Sequence, residues 1–225
     1  MTRYYPAYLD LTGKRCIVIG AGLVAERKVF QLVASDANVT LVSPTITNEL
    51  QRLVGEDKVR WIKRTYVRGD LAGSVLAIAA TSDEEVNRQV HAEAEREKTL
   101  LNVVDVTSLC DFIAPSIVER GAVTVAISTG GQSPALARKL RELMNGDQNP
   151  AQNESTNGTL CRCMKWADAA EVLGEIRTEL KSRNSLPSPE AWQSAMDQEL
   201  LELVEAGSTK EAKERLLDRL QSQAR

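Results

Sequence analysis

At 225 residues the chain has room for one sizeable domain and a smaller companion, since single domains usually run to about 100–200 residues. Charged residues make up 26% and hydrophobic residues 43%, which excludes a disordered tail or a fibrous repeat as the whole of it. With 28 Lys+Arg against 31 Asp+Glu the net charge is -3, so a nucleic-acid partner is not expected. No apolar run approaches the roughly 20 residues that cross a bilayer, and Met1–Pro6 lacks the apolar core of a secretory signal, so no membrane partner and a cytoplasmic location are expected.

From Lys14 to Val104, short apolar runs alternate with longer amphipathic stretches, the pattern of β-α-β units feeding a parallel sheet. Strands are predicted at 15–19, 38–42, 59–62, 75–79 and 100–104. Most are continuously apolar, which suits strands covered on both faces. Helices are predicted at 23–34, 47–54 and 84–97, the last capped by Asp83.

The pattern then changes. Residues 112–119 and 122–128 read as two strands around a turn at Arg120-Gly121, with no crossover helix between them. Ser133-Pro134 is an N-cap followed by proline at the first helical position, opening a helix to about Met144. Residues 146–160 hold almost nothing that could fill a core and read as a polar linker. Beyond them, apolar residues recur at three-to-four spacing from Trp166 to Ile176, from Trp192 to Val204 and from Ala212 to Leu220, predicting three amphipathic helices. The expected organisation is an α/β Rossmann-type domain over 1–112, a small α+β region over 113–145, the linker, and a helical domain over 161–225.

Gly20-Ala21-Gly22-Leu23-Val24-Ala25 carries the most specific chemistry. It is G-x-G-x-x-A, placed between the first strand and the first helix, as a dinucleotide fingerprint must be. Gly20 permits the tight turn, Gly22 lets backbone approach a pyrophosphate, and Ala25 lets the helix lie close to the sheet. The helix N-terminus favours the anion. Val42 is followed by Ser43-Pro44-Thr45, so the acidic residue that usually bonds an NAD ribose is missing. Ser43 or Thr45 can take that bond, and no arginine stands there for a 2′-phosphate, which favours NAD over NADP.

Ligands of open parallel sheets collect beyond the carboxyl ends of the strands, which directs attention to Thr81 and Asp105. Asp105 follows a nearly apolar strand end; partly withdrawn from water, it would have a raised pKa and act as a proton acceptor, or else it closes the strand as an Asx-turn. The loop of Thr129, Gly130 and Gly131 offers amides at a helix start, a second anion site, with Arg138, Lys139 and Arg141 following either as a solvated basic face or as contacts for a polycarboxylate.

The four cysteines, Cys16, Cys110, Cys161 and Cys163, suggest neither a disulfide framework nor a zinc site. The one histidine, His91, lies in a polar helical stretch and reads as a surface residue, so a histidine base is not expected.

Gly20–Lys28, Ala79–Asp83 with Val86-Asn87, Asn102–Asp105, Phe112–Ile117 and Ser128–Arg138, taken in order, resemble the sirohaem synthase family, and within it the precorrin-2 dehydrogenase / sirohydrochlorin ferrochelatase module. The resemblance spans about residues 3–144; the helical tail matches only in character. It implies NAD-dependent oxidation of precorrin-2 to sirohydrochlorin, with Fe²⁺ insertion in bifunctional members, and a homodimer whose second region mediates pairing and helps form the substrate cleft. It implies Asp105 as general base, Leu23, Val24, Pro44 and Thr45 around NAD, and Thr129 toward the tetrapyrrole. The methyltransferase half of trifunctional relatives is not expected.

Two other readings compete. A short-chain dehydrogenase would pair a tyrosine with a lysine four residues on, and none of Tyr4, Tyr5, Tyr8 or Tyr66 has one. A non-catalytic NAD-sensing domain would usually keep the acidic residue after the second strand and gives no purpose to residues 112–138.

Overall fold

The computed structural model describes residues 4–130, 133–145 and 166–222. The chain forms two compact units, Met1–Ala114 and Pro115–Arg225.

In the first unit, β1 (Arg15–Ile19), β2 (Asn38–Val42), β3 (Val59–Ile62), β4 (Leu76–Ala79) and β5 (Leu100–Val103) form a parallel sheet in the order β3-β2-β1-β4-β5. Helices α1 (Leu23–Ala34), α2 (Asn48–Gly55) and α3 (Glu84–Glu97) fall where the periodicity places them. Side chains alternate across a strand, so β1 sends Cys16 and Val18 into a core with Ala25, Val29 and Leu32 of α1 and Leu50 and Leu53 of α2. Ile17 and Ile19 go the other way, to Val90 and Ala94 of α3. The continuous apolar reading of these strands therefore has its cause in two covered faces.

No helix joins β3 to β4. The segment between them contributes Tyr66 and Leu71 to the α3-side core, and buried carboxylates satisfy its backbone. Glu93, 1% exposed, accepts from the Gly69 and Leu71 amides at 2.9 and 3.1 Å and from the Tyr66 hydroxyl. Burial pushes the Tyr66 phenol pKa up and the bond to Glu93 adds to it, so the donor stays protonated. Asp70 takes a bidentate pair from Arg64 at 2.6 and 2.7 Å and the Val67 amide at 2.9 Å. Burial pushes its pKa up, but these bonds and the charges of Arg64 and Arg15 outweigh that and hold it below the ordinary aspartate value. Glu93→Ala strands these donors in the interior and is expected to cost about 3 kcal/mol or more, seen as a lower urea midpoint. An unchanged midpoint would deny Glu93 this role.

In the second unit, β6 (Ser116–Arg120) and β7 (Val123–Ile127) form an antiparallel hairpin, followed by α4 (Pro134–Asn145), α5 (Ala170–Ser182), α6 (Pro189–Ala195), α7 (Gln198–Glu205) and α8 (Thr209–Ser222). The first strand starts at Ser116 rather than at Phe112. Asp111 and Phe112 are laced to β5 instead, through Asp111 N–H to Leu101 O at 2.8 Å, Leu101 N–H to Asp111 Oδ2 at 2.9 Å and Asn102 Nδ2 to Phe112 O at 2.9 Å. The apolar series from Trp192 to Val204, expected as one helix, is two. Asp197 caps a new helix by accepting from the Leu200 amide at 3.0 Å and is held by Arg215 and Arg219. Val172, Ile176, Leu200, Leu216 and Leu220 fill the core between these helices. The linker expected at 146–160 lies outside the described residues.

Candidate coenzyme and proton-transfer site

Because all five strands of the first sheet run the same way, the loops after β1, β2, β4 and β5 emerge at one edge. Chain order reverses between β1 and β4, the switch point where such sheets bind ligands. Gly20 stands at this point with φ +94°, and a Cβ there would sit 2.3 Å from Ala80 O. Only glycine fits both the dihedral and the space. At Gly22 a Cβ would meet nothing within 4 Å, leaving the mouth of the loop open.

The N-terminus of α1 fits a bound anion. Gly22 provides no side-chain cap, whereas Thr47 and Asp83 cap α2 and α3. The first-turn amides of α1 are therefore left to another acceptor. Leu23, 74% exposed, and Val24, 36% exposed, flank them as apolar surface that a dinucleotide would cover.

The loop after β2 is braced from within. Ser43 is buried and its hydroxyl donates to Thr45 O at 2.7 Å, while Trp61 Nε1 donates to Ser43 O at 2.9 Å. Of the two hydroxyls expected near a ribose, Ser43 is thus engaged in shaping the loop, and Pro44 and Thr45 are exposed. Glu26, in the first turn of α1, accepts from Thr47 Oγ1 at 2.5 Å and fixes the start of α2 against α1. Glu26 and Trp61 were not legible as site residues, since each acts through a partner distant in sequence. Thr81 lies after β4, where its hydroxyl accepts from the Asp83 amide at 3.2 Å.

Asp105 is exposed, not withdrawn from water as the apolar strand end suggested, because the chain leaves the sheet there. Among the described residues its carboxylate accepts no hydrogen bond and forms no ion pair, so it does not close an Asx-turn. Its φ of 62° is one of five positive values at non-glycine residues among the described residues. Asp36, Asp57, Lys98 and Asn184 follow or end helices; Asp105 alone follows a strand, at the edge that carries the glycine loop. Positive φ costs an aspartate less than most residues, yet it is still uncommon.

In the second unit, the Thr129 hydroxyl accepts from the Ser133 amide at 3.0 Å and Ser128 Oγ from the Gly130 amide at 3.1 Å. Arg138, 73% exposed, pairs with Glu142 at 2.8 Å. Gly131 lies outside the described residues, as do Cys161 and Cys163. Cys16 is buried and Cys110 half-buried, both as free thiols. Among the described residues, no group of three His, Cys, Asp or Glu could hold a metal ion, and no helix is long and apolar enough to cross a membrane.

Residues 7–116 match the family described as "Putative NAD(P)-binding", and residues 120–145 match "Sirohaem biosynthesis protein central". The chain is 34% identical over 220 residues to a sirohaem synthase of Pseudoalteromonas atlantica, covering 97% of this chain and 45% of the relative. It is 36% identical to that of Nitrosospira multiformis over 216 residues, 93% of this chain and 43% of the relative. The chain thus resembles the sirohaem synthases over nearly its whole length. It spans less than half the length of these curated relatives. A solved precorrin-2 dehydrogenase, SirC, has the same fold, with a TM-score of 0.72 at 22% identity, covering 96% of this chain and all of that one. The Rossmann-type parallel sheet and the helical C-terminal region expected from sequence are thus both present.

Proposed function

We propose that this chain catalyses NAD-dependent dehydrogenation of precorrin-2 to sirohydrochlorin, with Asp105 as the general base. The observation that carries the reading is an exposed carboxylate, without a partner among the described residues, on the sheet edge that also carries an uncapped, glycine-opened helix terminus. The names of the relatives and of the structural neighbour support the substrate.

Gly20 and Gly22 shape the approach, and the first-turn amides of α1 at Leu23 and Val24 would hold the pyrophosphate. Pro44, Thr45 and Thr81 would border the nucleosides, with Ser43 shaping the loop from within. When bound, NAD⁺ supplies the hydride acceptor. Each oxidation of precorrin-2 removes a hydride and a proton; Asp105 takes the proton and releases it to water. The macrocycle's carboxylates call for cations and amides, and within the second unit Thr129, Gly130 and Arg138 carry such groups. The exposed Arg138–Glu142 pair contributes at most about 1 kcal/mol, so a substrate carboxylate can replace Glu142 at small cost.

Anaerobic incubation of the full chain with precorrin-2 and NAD⁺ should yield sirohydrochlorin and NADH in equal amounts. No NADH above a protein-free control would overturn the reading. Fe²⁺ supplied afterwards as substrate tests chelation, and metal entry faster than in that control extends the activity to it. Among the described residues the two-stranded sheet of β6 and β7 has an unpaired edge on each side, which supports a homodimer. Light scattering should give twice the 24.7 kDa chain mass; the monomer mass would remove pairing from the account.

A further inference from the structure

Asn87 is 5% exposed and lies in the first turns of α3, on the side of the coenzyme edge. Its Nδ2 donates to Thr81 O at 3.2 Å, while its Oδ1 is enclosed with no hydrogen bond among the described residues. The residue it grips through its carbonyl, Thr81, is joined on its amide side to the Ala80–Thr81 peptide, and that peptide lies against Gly20, where an added Cβ would meet Ala80 O at 2.3 Å, Ala80 C at 2.8 Å and Thr81 N at 3.3 Å. One side chain thus holds the loop after β4 against the first glycine of the fingerprint.

A buried amide with one orphaned oxygen is a poor device for stability, because the unpaired acceptor loses its water without recovering a bond. An apolar side chain of similar volume would serve the core of α3 at least as well. We infer that Asn87 is a positioning residue for the coenzyme: by holding the Thr81 carbonyl it fixes the adjoining Ala80–Thr81 peptide against Gly20, so that the glycine turn keeps the shape the dinucleotide requires, at a cost to the stability of α3. This rests on the NAD⁺ reading above, and it adds a residue that touches neither the substrate nor the reacting atoms.

The test uses the full chain and two variants. Asn87→Leu keeps the volume and removes both polar atoms; Asn87→Asp keeps the shape but sets an oxygen against Thr81 O in place of the donor. Calorimetric titration with NAD⁺ should show affinity falling about tenfold in each, the scale of one lost hydrogen bond to a site. The KM for NAD⁺ should rise with kcat little changed, and the melting temperature of Asn87→Leu should equal or exceed that of the parent. Asn87→Leu that loses stability and affinity together makes Asn87 a structural residue and overturns the inference. So does parental affinity in both variants. A parent chain that fails to bind NAD⁺ overturns the underlying coenzyme reading instead, and the two failures are told apart by that control.

Discussion

Asp105→Asn is expected to slow precorrin-2 oxidation by about 10²- to 10⁴-fold, the usual loss when a general base is removed, with NAD⁺ affinity unchanged. Asparagine is the informative replacement because it tolerates the left-handed backbone that Asp105 adopts at φ 62°, so the chain keeps its path. Asp105→Ala removes the same group but adds backbone strain on the scale of about 1 kcal/mol. Since the carboxylate has no hydrogen-bond partner among the described residues, neither change breaks an interaction within the fold, and melting temperatures should stay close to the parent's. Single-turnover kinetics read the step directly. An unaltered rate in Asp105→Asn would remove this residue from the mechanism.

Gly20→Ala should be the most damaging small substitution in the first unit. The added methyl would lie 2.3 Å from Ala80 O and 2.8 Å from Ala80 C, both backbone atoms of the neighbouring loop, at a φ of +94° that side chains rarely adopt. Neither conflict is relieved by a rotamer change; β1 and the loop after β4 must separate. The expected cost is about 3 kcal/mol or more, with NAD⁺ binding lost along with the shape of the turn. Gly22→Ala is the matched control. A Cβ there meets nothing within 4 Å and its φ is -77°, so stability should change by less than about 1 kcal/mol. Weaker NAD⁺ binding in Gly22→Ala would then report backbone approach to the ligand itself. Equal stability of Gly20→Ala and the parent would refute the contact with Ala80.

How much of this could be read in the sequence depended on the range of each interaction. The sheet and its helices were legible because continuous apolar runs and helical spacing are local signals, and the glycine loop because its strand and helix lie within a few residues of it. The segment between β3 and β4 was not, since its order comes from Glu93 reaching back more than twenty residues to Gly69 and Leu71. Apolar residues near Phe112 looked like a strand because only the fold brings Asn102 and Leu101 beside them. The break at Asp197 was equally hidden: a capping aspartate inside an apolar series looks like a polar position on one helix until its bond to the Leu200 amide is known. The place of Asp105 after a strand is legible in the sequence, while its exposure is not, because its apolar neighbours Val103 and Val104 pack into the two cores and the chain then leaves the sheet.

The decisive measurement is a crystal structure of this chain with NAD⁺. The pyrophosphate should lie on the first-turn amides of α1 at Leu23 and Val24, with the Asp105 carboxylate on the nicotinamide side of the same edge and open to a cavity. Coenzyme bound elsewhere, or bound there with Asp105 turned away from the nicotinamide, would contradict the proposed site.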